Sequence, residues 1–307
     1  MNTKKSTIFQ KFVMWTKLFS EFRQDSDDEL DSARSFYDAL LTSEFIDSGV
    51  HFQRITGGSK SVLYLIDEKW VLKVPLFSSQ SKQLFRLELS ILEHFYADGP
   101  FFLEGMSTAL KFSGISFKRL ESSVLSAKQA FDLQRKFHTF TPNSGELLRS
   151  GVQNRDISEL IRQSIHAADY FCQKELFSAD FRQSIQLRID DLDSWLKTQP
   201  RVFCHGDFGP QNIYSYNKEF IALDWEDSFF GIQDYDFLYW LTFLSNTKLV
   251  SIENLRLSKI PIKRAVDLLF VIILLKEYSM HILGKYNSER ISPIERMNTL
   301  SKLTELI

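Results

Sequence analysis

The chain has little cysteine: two residues in 307, Cys172 and Cys204. Two thiols cannot staple a disulfide scaffold, so a reducing compartment is expected and the fold must rest on its core. Net charge is nearly absent as well. The balance of 37 Lys and Arg against 39 Asp and Glu leaves −2, which offers no basic surface to a phosphate backbone, and no nucleic-acid partner is expected. Long apolar runs are missing too. The longest, Leu268 to Leu275, is closed by Asp267 and Lys276 and is too short to cross a bilayer; it reads as the buried core of a helix. No signal peptide, internal repeat, heptad array or low-complexity tract is evident, and a cytoplasmic protein is expected. What is present is apolar material: 44% hydrophobic content with 28 Phe, enough to bury one or two cores.

The segment His205-Gly206-Asp207-Phe208-Gly209-Pro210-Gln211-Asn212, followed by Asp224-Trp225-Glu226, carries the chemistry. In a phosphoryl-transfer loop, an Asp that accepts the substrate hydroxyl proton precedes a Mg²⁺-binding Asn by five residues, the spacing of Asp207 and Asn212. Arg201 to Cys204 reads as a short strand entering the loop. Asn212 to Tyr214 leads out, a turn follows at about Ser215 to Glu219, and the run Phe220 to Leu223 delivers Asp224. Mg²⁺ takes hard oxygen ligands and keeps several waters, so one carboxylate, one amide oxygen and the nucleotide phosphates suffice. Cys204 borders the loop and reads as a small buried thiol rather than a nucleophile.

Upstream, Phe52 to Ile55, Thr56-Gly57-Gly58-Ser59-Lys60-Ser61 and Val62 to Ile66 read as strand, glycine turn, strand. Gly57, Gly58 and Ser59 are candidate nucleotide-binding residues, because glycines let backbone N–H groups approach phosphates. The next strand, Trp70 to Pro75, places Lys73 in an apolar run. In the helix from Ser79 to about Tyr96, Leu84, Glu88, Ile91 and Phe95 share a face. A lone buried carboxylate is costly, so Lys73 and Glu88 are expected to pair and to hold the nucleotide phosphates.

The segment from His205 to Asn212, then Asp224-Trp225-Glu226, Gly231 and Asp236 ahead of a helix, resembles the aminoglycoside phosphotransferase and choline kinase-like superfamily of small-molecule kinases. The resemblance spans about Val50 to Leu249. It implies that Asp207 is the catalytic base, that Asn212 and Asp224 hold Mg²⁺, and that His205 and Asp236 brace the loop. Glu226 is a further candidate, for the metal or the acceptor. The fold implied is α+β, protein-kinase-like and two-lobed, with a small antiparallel β-sheet N-lobe carrying one main helix and a mostly helical C-lobe. The domains expected are an N-terminal helical extension over 1–48, a nucleotide-binding N-lobe over 49–119, and a catalytic and acceptor-binding C-lobe over 120–307. The expected activity is Mg²⁺-dependent transfer of the γ-phosphate of ATP or GTP, bound between the lobes, to a hydroxyl of a small molecule. The chain departs from relatives at the hinge, where Lys118-Arg119-Leu120-Glu121-Ser122 lacks their glycine. A protein kinase is the second reading, against which the chain offers His-Gly-Asp and Asp-Trp-Glu and no Ala-Pro-Glu. A nucleotide-binding scaffold without turnover is the third.

Helical patterns are expected at about Ser126 to Phe140, Asp156 to Cys172, Ala179 to Lys197, Asp234 to Ser245, Ile262 to Leu283 and Pro293 to Ile307. His138 reads as a core histidine. Glu159, Asp169, Glu175, Asp190, Asp191 and Asp193 read as a solvated helix face, with a cationic amine-bearing acceptor as the other reading. The first twenty or so residues pattern Lys4, Lys5, Lys11 and Lys17 with Phe9, Phe12, Trp15 and Phe19. Such a helix suits either weak peripheral contact with an anionic membrane surface or packing on the protein itself or a partner chain. A second helix is expected from about Ala33 to Phe45.

Overall fold

The computed structural model describes residues 52–55, 61–66, 70–75, 79–96, 101–102, 115–118, 121–122, 124–140, 156–216, 218–282 and 295. The glycine turn with Gly57, Gly58 and Ser59, hinge residues 119–120, the N-terminal helices and nearly all of the closing helix lie outside them. The chain divides into two compact units, residues 1–121 with 216–219, and residues 122–215 with 220–307.

The first unit is built on an antiparallel sheet of β1 (Phe52–Ile55), β2 (Ser61–Ile66), β3 (Trp70–Pro75), β4 (Phe101–Phe102) and β5 (Ile115–Lys118), in the order β1-β2-β3-β5-β4. Strand β3 is central, with Lys73 opposite Leu63 on one side and Ile115 on the other. Helix α1 (Ser79–Phe95) buries Leu84, Phe85, Leu87, Glu88, Ile91 and Leu92. These recur at three- and four-residue steps, so one stripe of the helix is apolar apart from a single carboxylate.

The second unit follows the short strand β6 (Glu121–Ser122). Helix α2 (Ala127–Phe137) starts at a capping box in which the Ser126 hydroxyl accepts from the Gln129 N–H and the Gln129 side chain accepts from the Ser126 N–H. Asp156 caps α3 (Ile157–Gln173) and Ser178 caps α4 (Ala179–Leu196) in the same way, each taking a first-turn N–H. Strand β7 (Arg201–Cys204) pairs antiparallel with β10 (Phe229–Ile232), Cys204 opposite Phe229. Between them lie the neighbouring strands β8 (Ile213–Tyr216) and β9 (Glu219–Ala222). The turn joining these two is tighter than the sequence suggested, and Lys218 sits in it at φ 68.

Among the described residues, helices α5 (Tyr235–Leu241), α6 (Ile252–Leu255) and α7 (Ile262–Ile282) follow. Helix α5 is shorter than the expected Asp234 to Ser245. Its C-cap Thr242 returns an N–H to Tyr239 and Trp240, and Phe243 is extended, so the chain leaves the helix and resumes as a 3-10 turn over Leu244–Leu249. Every residue from Ala265 to Leu274 on α7 is buried. A helix apolar on all sides belongs at the centre of a core, and each Leu, Ile or Phe buried there contributes about 1.5–3 kcal/mol. Among the described residues, no helix is long and apolar enough to cross a membrane.

Candidate active site

In the first unit, the Lys73 ammonium lies 2.6 Å from a Glu88 carboxylate oxygen, with the two residues 4% and 1% exposed. Strand β3 supplies the cation and helix α1 the anion. Two ions this deep are tolerable only together, since each alone would carry an uncompensated desolvation cost of several kcal/mol.

In the second unit, the site is built around residues 205–212. Strand β7 ends at Cys204, and Gly206 then takes φ +85, a left-handed conformation that suits glycine. A Cβ at Gly206 would also fall 2.0 Å from the Asp227 carbonyl oxygen. Glycine is therefore required here twice over, by backbone angle and by space. The Asp236 carboxylate, in the first turn of α5, accepts from the His205 N–H at 2.8 Å and the Gly206 N–H at 3.0 Å. Burial pushes the Asp236 pKa up, opposed by His205 and these two N–H groups. The His205 ring is fully buried, 4.4 Å from the Trp225 ring. Its Nε2–H donates to the Leu223 carbonyl at 3.0 Å, and Nδ1 has no hydrogen-bond partner among the described residues. Burial holds the His205 pKa below the usual histidine value.

These contacts fix Asp207. Asn212 Nδ2 donates to the Asp207 carboxylate at 2.9 Å and to its carbonyl at 2.8 Å. Tyr239 Oη, from α5, donates to the other carboxylate oxygen at 2.7 Å. Asp207 thus has both oxygens engaged by neutral donors and retains lone pairs for an incoming proton. Burial raises its pKa to about 6; Asp227 and Asp224 add to the rise, while Tyr239 and Lys276 oppose it. A carboxylate tuned in this way is ionised at neutral pH yet basic enough to take a proton.

Asp224 lies just past β9, at φ 68 and ψ 63. A non-glycine residue in this region carries about 1 kcal/mol or more of strain, held in place by its neighbours. The neighbour that matters is Leu223: its N–H donates to the Asn212 carbonyl at 2.9 Å and its carbonyl accepts from His205. The strand that delivers Asp224 is therefore tied to the loop that carries Asp207 and Asn212. Glu226 is buried in the 3-10 turn Trp225–Asp227. Cys204 is fully buried and its thiol pKa is pushed well up by burial, which makes it inert packing.

The structure thus brings Lys73 to Glu88, Asn212 to Asp207, and Asp236 to the backbone of His205 and Gly206. Two residues of the site escaped sequence reading, Tyr239 and Lys276. The Lys276 ammonium lies 3.6 Å from the Tyr239 ring centroid and 3.5 Å from that of Phe243. Both residues sit in apolar helical patterns, where an aromatic or the head of a lysine gives no periodic signal of its own.

Residues 51–252 match the model of a family described as the phosphotransferase enzyme family. The fold is similar to that of an aminoglycoside 2'-phosphotransferase-IIIa in its GDP complex, at 13% identity and TM-score 0.58, over 88% of this chain and 98% of that one. It is also similar to an ethanolamine kinase of Plasmodium vivax, at 13% identity and TM-score 0.57, covering 92% and 91% of the two chains. A choline kinase of Cryptosporidium parvum is similar at 12% identity and TM-score 0.56, covering 91% and 96%. At such identities the likeness establishes the fold, which is the expected kinase-like α+β class. Comparison with the curated proteins gives no match.

Proposed function

We propose, for a chain that belongs to the phosphotransferase enzyme family, that it moves the γ-phosphate of ATP or GTP to a hydroxyl of a small molecule in a Mg²⁺-dependent reaction. The observation that carries this reading is the Asp207 carboxylate, fixed on one oxygen by Tyr239 and on the other by Asn212. Such a group is oriented and poised to receive a hydroxyl proton, and orientation with charge stabilisation is most of what phosphoryl transfer asks of a protein.

The roles divide as follows. Asp207 orients the acceptor hydroxyl and takes its proton as the oxygen attacks phosphorus. Tyr239 sets the direction of that carboxylate, and Asp236 and His205 hold the loop beneath it. Asn212 and Asp224 hold Mg²⁺. The donor chemistry fits: Asn212 spends its amide N–H₂ on Asp207, leaving an amide oxygen, and Asp224 adds a carboxylate, both hard ligands of the kind Mg²⁺ takes. Mg²⁺, when bound, neutralises charge on the phosphates. Within the first unit, Lys73, kept in place by Glu88, and the backbone N–H groups of Gly57, Gly58 and Ser59 are the groups assigned to nucleotide phosphates.

The test needs no knowledge of the acceptor. Thermal unfolding is followed with ATP and with GTP, with and without Mg²⁺, for the wild type and for Asp224→Ala. The reading expects a Mg²⁺-dependent stabilisation by one nucleotide or both that Asp224→Ala abolishes. No stabilisation of the wild type by either nucleotide would contradict it.

A further inference from the structure

The side of the catalytic loop that α5 faces is walled by two aromatic rings, Tyr239 and Phe243, with centroids 5.6 Å apart. They touch the loop at two points. Tyr239 donates to Asp207, and Phe243 packs so closely on Gly209 that a Cβ there would fall 2.4 Å from its ring. A pair of ring faces beside a carboxylate is a seat for an organic cation, because the negative faces of the rings and the acid attract the same charge.

That seat is occupied by the chain itself. Lys276, reaching in from α7, places its ammonium 3.6 and 3.5 Å from the two ring centroids. It also donates to the Thr242 hydroxyl at 2.7 Å and approaches the Tyr239 carbonyl at 3.5 Å. Thr242 in turn donates to the Tyr239 carbonyl at 2.6 Å, so the seat and its occupant are locked to the end of α5. Of the six helix acids that could otherwise recruit an amine, four are matched by the chain's own cations. Asp169 pairs with Arg182, Asp191 with Lys263 and Arg264, Asp193 with Lys197, and Glu159 with Arg162.

We propose that Lys276 is a specificity-determining residue: its ammonium fills the aromatic seat beside Asp207 that a cationic alcohol would use, so the acceptor is a hydroxyl compound without an ammonium group. This rests on the phosphotransfer reading above. A cationic acceptor entering here would have to displace an ammonium already satisfied by two ring faces and a hydroxyl, and would meet its charge while doing so. A neutral or anionic alcohol meets no such opposition.

Tetramethylammonium chloride is the probe, titrated into the full chain at ionic strength matched with NaCl and read by calorimetry. Lys276→Ala empties the seat and is expected to bind the probe at least 10-fold more tightly than the wild type, about the value of one desolvated cation–ring contact. Equal affinity in the two proteins, or tighter binding by the wild type, overturns the proposal. A second measurement keeps the question decidable if Lys276→Ala fails to fold. Wild type with Mg²⁺-nucleotide is offered choline and ethanolamine against neutral polyols and hydroxy acids. Nucleotide diphosphate release with a neutral or anionic alcohol and none with the two cations supports the assignment; turnover of choline or ethanolamine in preference to the others overturns it. A wild type that phosphorylates no alcohol contradicts the phosphotransfer reading instead, and the tetramethylammonium comparison then still decides who holds the seat.

Discussion

Asp207→Asn should make the protein more stable at neutral pH while removing the proposed base. The folded state holds the Asp207 carboxyl at about 6 against an ordinary aspartate value of 3.8, so the folded chain binds that proton more tightly than the unfolded chain. The stability from this group is fully present below the unfolded value and is lost as pH rises through the folded one. At pH 7.5, above both values, the ionised carboxylate costs about 3 kcal/mol. At pH 5, between the two values, the cost falls to about half of that. Asparagine keeps the shape without the charge: its oxygen can accept from Asn212 and its amide can donate to the Tyr239 hydroxyl. The variant should therefore gain ~2–3 kcal/mol at pH 7.5, a rise in melting temperature of ~6 °C for a unit of this size, and about half of that at pH 5. Urea or thermal unfolding followed through the buried Trp225 and Trp240 gives the comparison. A variant less stable than the wild type at pH 7.5, or a gain that does not shrink with acidity, would refute the reasoning.

Other consequences follow from the same contacts. Turnover should rise with pH along an acid limb governed by Asp207, and Tyr239→Phe should displace that limb to higher pH, since the Tyr239 hydroxyl opposes the upward shift; an unmoved limb would remove Tyr239 from the account. Lys73→Met leaves Glu88 buried without its cation, and the first unit should lose ~3–5 kcal/mol in chemical denaturation, a loss that Lys73→Met with Glu88→Leu largely restores. Gly206→Ala must place a Cβ 2.0 Å from the Asp227 carbonyl oxygen at φ +85, so it should destabilise the second unit by several kcal/mol, where a conservative surface change would move it by ~0.5. A melt within 1 °C of wild type for that variant would mean the loop has room the structure does not show.

The parts of this fold that could be read from sequence are those whose signal is local. The loop from His205 to Asn212 is legible because Asp207 and Asn212 stand at the five-residue step of a phosphoryl-transfer loop, and the strand before it because of a short apolar run. Helices α1 to α4 and α7 begin or end within a residue or two of their expected limits, because their caps and stripes are written in neighbouring residues. The pairing of Lys73 with Glu88 was readable from a charge in each of two apolar stripes. Strand β10 was not assigned, since Phe229-Phe230-Gly231-Ile232 is too short to show alternation and gains its identity from pairing with β7. The end of α5 was misplaced by about four residues because Thr242 turns its hydroxyl on the Tyr239 carbonyl, and apolar residues continue past the break. Tyr239 and Lys276 were out of reach for a different reason. Tyr239 meets Asp207, and Lys276 meets Tyr239, only after two helices, distant in sequence, have packed.

With γ-labelled ATP or GTP, Mg²⁺ and a pooled set of small alcohols, the wild type should place label on an organic acceptor. Asp207→Asn should do so ~10²–10⁴-fold more slowly while its Mg²⁺-nucleotide affinity is retained. Transfer by the variant at the wild-type rate would take Asp207 out of the mechanism, and no transfer by the wild type to any alcohol would contradict the central claim.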